Sequence, residues 1–196
     1  RGCLGHMDNT FAVGVDANRA HFKHTNNTYA GSSGPVDLFN PVPGRFISDA
    51  PNIPRYRNSA EQYALFLEDR WALTDRWSIL AGLRHDRAIV QRTDLISGQR
   101  TFSKTYSNTG WRTGTVFALR PTSTLYAQFS QASDPISGLL MISPSNGAFD
   151  LSRGKQVEVG FKQGFDGGEW TLAAYRIRKT GLLSRDPLNP DRRVQV

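Results

Sequence analysis

The chain has 196 residues and a net charge of +7, from 24 Lys+Arg against 17 Asp+Glu. It is 38% hydrophobic and 11% aromatic, with 18 Gly and 10 Pro, a composition that favours strands and turns over helices. The longest apolar run beside a strand, Tyr63-Ala64-Leu65-Phe66-Leu67, is far short of the roughly 18–20 residues of a membrane-spanning helix, so bilayer contact would require a closed barrel.

The basic residues are spread along the chain and form no patch or stripe of the kind nucleic acids select. They read as solvated charge, or as the lining of a vestibule that attracts anions. Cys3 has no second cysteine to pair with and is given no role. The start Arg1-Gly2-Cys3-Leu4 lacks the basic and apolar regions of a signal peptide, so the sequence is expected to be a mature chain or a fragment.

In chain order, residues 10–23 read as a strand, followed by a long stretch over 24–59 rich in Asn, Gly, Ser and Pro. Prolines exclude regular sheet there. Residues 60–73 form a second strand, 74–76 a tight turn and 77–92 a third strand. Residues 93–108 are a polar connection with room for extensions of the ladder. Then come a strand at 109–120, a turn at 121–123, a strand at 124–133, a second long loop at 134–153 and a strand at 154–165. Asp166-Gly167-Gly168 supplies a third tight turn, with glycine where φ must be positive. A strand at 169–180 leads into a loop over 181–192, broken at Asp186-Pro187 and Asn189-Pro190, and Val194 opens an eighth strand.

The connections thus alternate long and short, with turns at Thr74, Thr122 and Gly167 at one end and loops near Pro43, Gly98, Pro144 and Pro187 at the other. Short periplasmic turns and longer extracellular loops characterise outer-membrane barrels. The strands, of roughly 10–16 residues, also exceed the usual ~5–6 of soluble sheets. The fold class is therefore all-β: an antiparallel transmembrane β-barrel, with about eight strands forming an arc of a larger one.

Period-two reading separates the faces. Trp77, Ile79, Ala81 and Leu83 oppose Ser78, Gly82, Arg84 and Asp86, with Leu80 as an exception. Trp111, Phe117 and Leu119 oppose Arg112, Gly114 and Ala118; Leu125, Ala127 and Phe129 oppose Tyr126, Gln128 and Ser130. Val157, Val159, Phe161 and Phe165 oppose Gln156, Glu158, Gly160 and Lys162. In 169–180, Trp170, Leu172 and Ala174 make an apolar face that Arg176 continues, which leaves its orientation open. One sheet of a soluble sandwich would alternate in the same way. Trp71, Trp77, Phe117, Phe165 and Trp170, however, all flank short turns, as an interfacial aromatic girdle would.

Gln62-Tyr63-Ala64-Leu65-Phe66-Leu67-Glu68-Asp69-Arg70-Trp71, Leu73-Thr74-Asp75-Arg76-Trp77 and Ala81-Gly82-Leu83-Arg84-His85-Asp86 resemble the barrel repeat of TonB-dependent siderophore receptors. Leu125-Tyr126-Ala127-Gln128-Phe129-Ser130 and Gly154-Lys155-Gln156-Val157-Glu158-Val159-Gly160-Phe161-Lys162 resemble it too, and Phe39-Asn40-Pro41-Val42-Pro43-Gly44 is similar to a loop element of that group. The resemblance covers roughly residues 10–196, with the motifs in matching order.

It implies a plugged barrel of the roughly 22-stranded kind, in the bacterial outer membrane, importing a ferric siderophore with energy from the inner membrane. Residues 1–196 would be a partial barrel domain. Its plug domain is missing from this chain, so contact with the TonB complex would run through a segment found elsewhere. Partners would be the ferric siderophore and outer-membrane lipid, with no nucleic acid. No cofactor is expected, because iron would arrive inside its chelate. A passive porin-type barrel and a soluble β-sandwich binding module are the alternatives. Which siderophore binds is not legible.

Arg and aromatic side chains on the long loops suit anionic ferric chelates, which nominates Tyr29, Phe39, Arg55, Tyr56, Arg57, Phe102, Tyr106, Met141 and Phe149 as ligand-binding residues; packing of each against its own loop is the competing expectation. His21 and His24 stand three apart on a strand and point oppositely, so no metal site is expected. Glu68 with Arg70, and Arg84 with Asp86, are expected as structural ion pairs. The chain is expected not to be an enzyme: Ser130, Ser143 and Ser145 lack a G-x-S-x-G setting, and Glu68 and Asp69 point to opposite faces. Asn26-Asn27-Thr28 matches a glycosylation sequon that a bacterial barrel would not use.

Overall fold

The computed structural model describes residues 2–4, 7–25, 37–41, 53–134, 148–189 and 193–196. Among them there is no helix, and none long and apolar enough to cross a membrane. The described residues form ten strands: β1 (Gly2–Leu4), β2 (Met7–Thr25), β3 (Pro54–Ala72), β4 (Trp77–Asp94), β5 (Arg100–Arg120), β6 (Ser123–Asp134), β7 (Ser152–Phe165), β8 (Gly168–Thr180), β9 (Leu183–Arg185) and β10 (Arg193–Gln195). The first eight form one antiparallel sheet in sequence order, β1 to β8, with every neighbour joined by a hairpin-type connection. This meander is an open arc whose edges are β1 and β8.

The tight turns are built locally. At 73–76, the Thr74 hydroxyl accepts the Arg76 and Trp77 N–H groups at 3.3 and 3.1 Å, and Leu73 N–H donates to the Trp77 carbonyl at 2.9 Å. Between β7 and β8, Gly167 has φ of 84°, a conformation costly for any residue with a Cβ.

The structure changes three of the sequence expectations. The polar connection expected at 93–108 is mostly strand, because β5 begins at Arg100 and only residues 95–99 turn the chain. Asp94 closes that turn by accepting the N–H groups of Ile96 and Ser97 at 2.8 and 2.9 Å. The alternation of long and short connections therefore fails at this hairpin in length, although its turn still lies at the end of the sheet where residues 26–53 and 135–151 connect strands. The strand expected from Val194 is only the short β10, which pairs with β9 outside the main sheet. The eighth strand of the sheet is instead β1, paired to β2 through Gly2–Asn9, Cys3–Asp8 and Leu4–Met7.

Register assigns the faces, since directly opposed residues lie on the same side. One row runs Asn9–Trp71–Ile79–Thr115–Ala127–Val159–Ala174 and another Trp77–Phe117–Leu125–Phe161–Leu172. On this outer face Val13, Val15, Leu65, Leu67, Val157 and Leu172 are left exposed by the protein. The five turn-flanking aromatics, Trp71, Trp77, Phe117, Phe165 and Trp170, all belong to it. The same register resolves β8: Trp170, Leu172 and Ala174 share the outer face, and Arg176, opposite Val157, continues it. The inner face carries Asp16, Glu68, Arg84, Arg112, Tyr126 and Glu158. A protein that exposes large aliphatics on one face and lines the other with charge is inverted relative to a soluble sandwich, and it matches a wall between lipid and a polar lumen.

Candidate ligand-binding face

The inner face divides into two zones. Nearer the tight turns it is a polar lattice. Arg84 donates to Asp86 at 2.8 Å and reaches Asp16, two strands away, at 3.2 Å. The Arg84–Asp86 pair is the one expected; the Glu68–Arg70 pair is not formed. Glu68 instead takes Arg112, whose Nε donates at 2.7 Å, while Arg70 donates to Ser78 Oγ at 3.4 Å. The cause is register: Glu68 opposes Gly82, which opposes Arg112, so the missing side chain between them lets the pair close over Gly82.

Farther along the sheet, Glu158 collects three donors: Tyr126 Oη at 2.8 Å, Gln128 Nε2 at 2.9 Å and Gln156 Nε2 at 2.9 Å. Tyr126 lies flat against Gly160, where an added Cβ would overlap its ring, and Phe66 lies against Gly14 in the same way. A concavity of about 630 Å³ opens over the Arg84 and Arg112 ion pairs and reaches the loop-end residues, with Asp16, Phe66, Glu68, Arg84, Tyr106 and Arg112 among its lining residues.

Toward the long connections the inner face becomes drier. Ala60, Val90 and Tyr106, each 4% exposed or less, form the buried core, with Ala88, Phe102 and Leu151 packed against it. The segment 148–151 is tied down over this cluster by Lys104, whose Nζ donates to the Phe149 carbonyl at 2.9 Å and meets Asp150 at 3.3 Å. Burial, then the Asp150 charge, pushes the Tyr106 phenol above its ordinary pKa, so it stays neutral. Above the cluster, Tyr56 is stacked on His24 at 4.7 Å and 3° and lies under the Arg92 guanidinium, 3.5 Å from its centroid.

Of the nine residues nominated for ligand contact, Tyr29 and Met141 lie outside the described residues. Tyr56 sits in the stack. Phe102 and Tyr106 join the core, and Tyr106 keeps almost no surface to offer a ligand. Phe149 contributes its carbonyl to Lys104. Arg55 lends its carbonyl to Leu95 N–H at 2.8 Å. Arg57, opposite Lys23, belongs to the outer face. Phe39 is 97% exposed on a turn whose Asp37 accepts the Phe39 and Asn40 N–H groups. The sequence did not nominate His24 or Arg92 as partners of Tyr56, because only the pairing of three strands brings them together. Nor did it nominate Lys104, whose role depends on a segment about 45 residues away.

His21 and His24 lie on opposite faces: His21 opposes Ser59, and His24 opposes Tyr56. Among the described residues no cluster of three His, Cys, Asp or Glu side chains is placed to hold a metal.

Comparison with known proteins agrees with this architecture. The ferrioxamine B receptor of Salmonella typhimurium is 28% identical over 194 residues, which are 97% of this chain and 26% of that protein. The metal-pseudopaline receptor CntO of Pseudomonas aeruginosa is 28% identical over 162 residues, 79% of this chain and 22% of its own length. The siderophore receptor PiuA of Acinetobacter baumannii superposes with a TM-score of 0.74 at 19% identity, covering 96% of this chain and 31% of that structure. The chain thus spans about a quarter of the length of the curated relatives it matches. The family model described as TonB dependent receptor-like, beta-barrel matches residues 4–196, and the chain belongs to that family of receptors.

Proposed function

We propose that this chain is one wall of an outer-membrane receptor that binds a ferric siderophore at its loop end and imports it with energy delivered by the TonB complex. The observation that carries the reading is the opposition of the two faces: an apolar outer band edged with aromatics at the turn end, and an inner face of ion pairs and hydrogen bonds. Lipid would cover the first and a polar filling the second. A passive porin would use the same wall, but the relatives at 28% identity are named as receptors for ferrioxamine B and metal-pseudopaline.

The loop-end inner face suits a chelate. Tyr56, held between His24 and Arg92, offers a polarised ring edge beside a fixed positive charge, a combination that attracts anionic or aromatic faces. Iron would be substrate cargo, held by its chelator.

The test is growth of a strain whose receptor has been deleted and restored, with iron supplied as ferrioxamine B, ferric citrate or a ferric catecholate. Growth on one chelate should depend on the restored receptor and fall with Tyr56→Ala or Arg92→Ala. Receptor-independent growth on all three would refute siderophore uptake.

A further inference from the structure

β5 rises higher than the strand beside it. Its ladder with β4 continues past Phe102, whereas its ladder with β6 stops at Trp111–Gln131 and β6 itself ends at Asp134. The next residue, Pro135, has no N–H to give a ladder. Above that level one side of β5 is a sheet edge. Ala118 N–H donates to the Arg76 carbonyl on the β4 side, so even-numbered residues of β5 bond to β4 and odd-numbered ones turn their N–H and C=O the other way. Ser103, Thr105 and Ser107 therefore aim backbone donors and acceptors at the open side. All three are exposed, and among the described residues no strand pairs with them there.

The edge borders a slot where β6 would continue. Its volume is about 190 Å³, between Thr105, Ser107 and Asn108 on one wall and Asp150, Leu151 and Arg153 on the other. The far wall does not compete for the edge, because the Phe149 and Asp150 carbonyls already accept from Lys104 Nζ at 2.9 Å and Gln195 Nε2 at 3.0 Å. Nor is the edge blunted: residues 102–109 contain no Pro, Gly or register shift, and their one charge, Lys104, is engaged by 148–151. The outer rim of the slot is basic. Arg153 is exposed there, followed on the same face by Lys155 with Arg178 opposite it. Among the described residues none of these three is in an ion pair. A second copy is a poor occupant, because pairing β5 with itself about a two-fold axis would turn the neighbouring barrel upside down in the membrane.

We propose that the open edge of β5 receives an extended acidic peptide of a protein at the cell surface, added as a strand antiparallel to β5. Main-chain bonds to Ser103, Thr105 and Ser107 would supply the affinity, and alternate side chains the specificity. Directly opposed residues share a face, so the peptide residues bonded to those three point outward and carry the acidic groups toward Arg153, while small residues point inward over Leu151. The place at the cell surface rests on the membrane-spanning reading; the edge itself rests on the ladder alone, so the peptide test and the growth test on chelates fail separately.

The receptor, purified from its own membrane with whatever chain flanks this segment, is titrated with the fluorescent peptide Thr-Glu-Thr-Glu-Thr-Glu-Thr and followed by anisotropy and by hydrogen exchange of residues 101–109. The peptide should bind and slow exchange at Ser103, Thr105 and Ser107. Methylating its three glutamate amides removes three main-chain bonds and should weaken binding by about tenfold or more. A lysine-for-glutamate peptide should bind more weakly than the parent, and Arg153→Gln should shrink that difference. Thr105→Pro removes one edge N–H and spares the β4 ladder, so it should abolish peptide binding and leave chelate-dependent growth intact. Equal binding of the methylated peptide, or of the lysine peptide, would overturn the site. So would slow exchange at Ser103, Thr105 and Ser107 before any peptide is added, which would mean that the receptor's own chain fills the edge.

Discussion

The turn half and the loop half of the sheet solve burial in different ways. In the turn half, Leu65, Leu67, Val157, Val159 and Leu172 are all more than a third exposed to anything outside the protein, and among the described residues no buried hydrophobic cluster lies beneath them. In the loop half, Ala60, Val90 and Tyr106 make a small dry core under residues 148–151. The difference teaches where the apolar solvent is. A strand bordered by lipid needs only its ladder and an apolar face, whereas strands rising into water must recruit their own cover.

The largest expected effect tests the loop half. Tyr106→Ala should cost about 3–5 kcal/mol, the range for emptying a buried aromatic site, and release 148–151; urea unfolding and protease cleavage after Phe149 would report it. If stability is unchanged, the dry core is not holding the loop half together. Next, Val159→Arg should cost about 2–4 kcal/mol if lipid surrounds the turn half, against nearly nothing for Ser103→Arg, opposite the neutral Gln91 on the same face beyond the band. Equal costs, measured by unfolding from vesicles, would erase the distinction between halves.

A smaller effect is expected for Glu68→Gln. Glu68 and Arg112 are partly exposed, at 30% and 58%, so the pair should contribute no more than about 1 kcal/mol; a loss of several would mean the lumen is far drier than the structure implies. The smallest effect concerns acid. The N–H groups of Ser97 and Ile96 hold the Asp94 carboxyl below its ordinary value. Because its folded pKa is depressed, its contribution is present above the ordinary carboxylate range and is lost as pH falls through the lower folded value. The Ile96 and Ser97 amide resonances should therefore move only below the ordinary carboxylate range, and Asp94→Asn should flatten that titration. A transition near neutrality would contradict the turn geometry.

Much of this contrast could be read from residues alone, but unevenly. Trp77-Ser-Ile-Leu-Ala and Val157-Glu-Val-Gly-Phe announce their faces because lipid enforces the alternation. The segment Thr101-Phe-Ser-Lys-Thr-Tyr-Ser looks like connection in the sequence because its outer side, Ser103, Thr105 and Ser107, meets water and carries no apolar signal. Ion-pair partners were the other weak point. Parity within one strand puts Glu68 and Arg70 on a common face, yet only the offset between strands brings Arg112 to Glu68 and Asp16 to Arg84. For the same reason the sequence points to Tyr56 without its two neighbours, His24 and Arg92.

The rings of Tyr126 and Phe66 have a consequence for the space they border. Each lies down on a neighbouring strand because Gly160 and Gly14 present no Cβ beneath it. Laid flat, they tile the wall instead of projecting from it and leave clearance for whatever occupies the interior. Gly160→Ala would tip Tyr126 up like a raised flagstone, pull its hydroxyl from Glu158 and narrow the passage without touching the gateway where a chelate would first land.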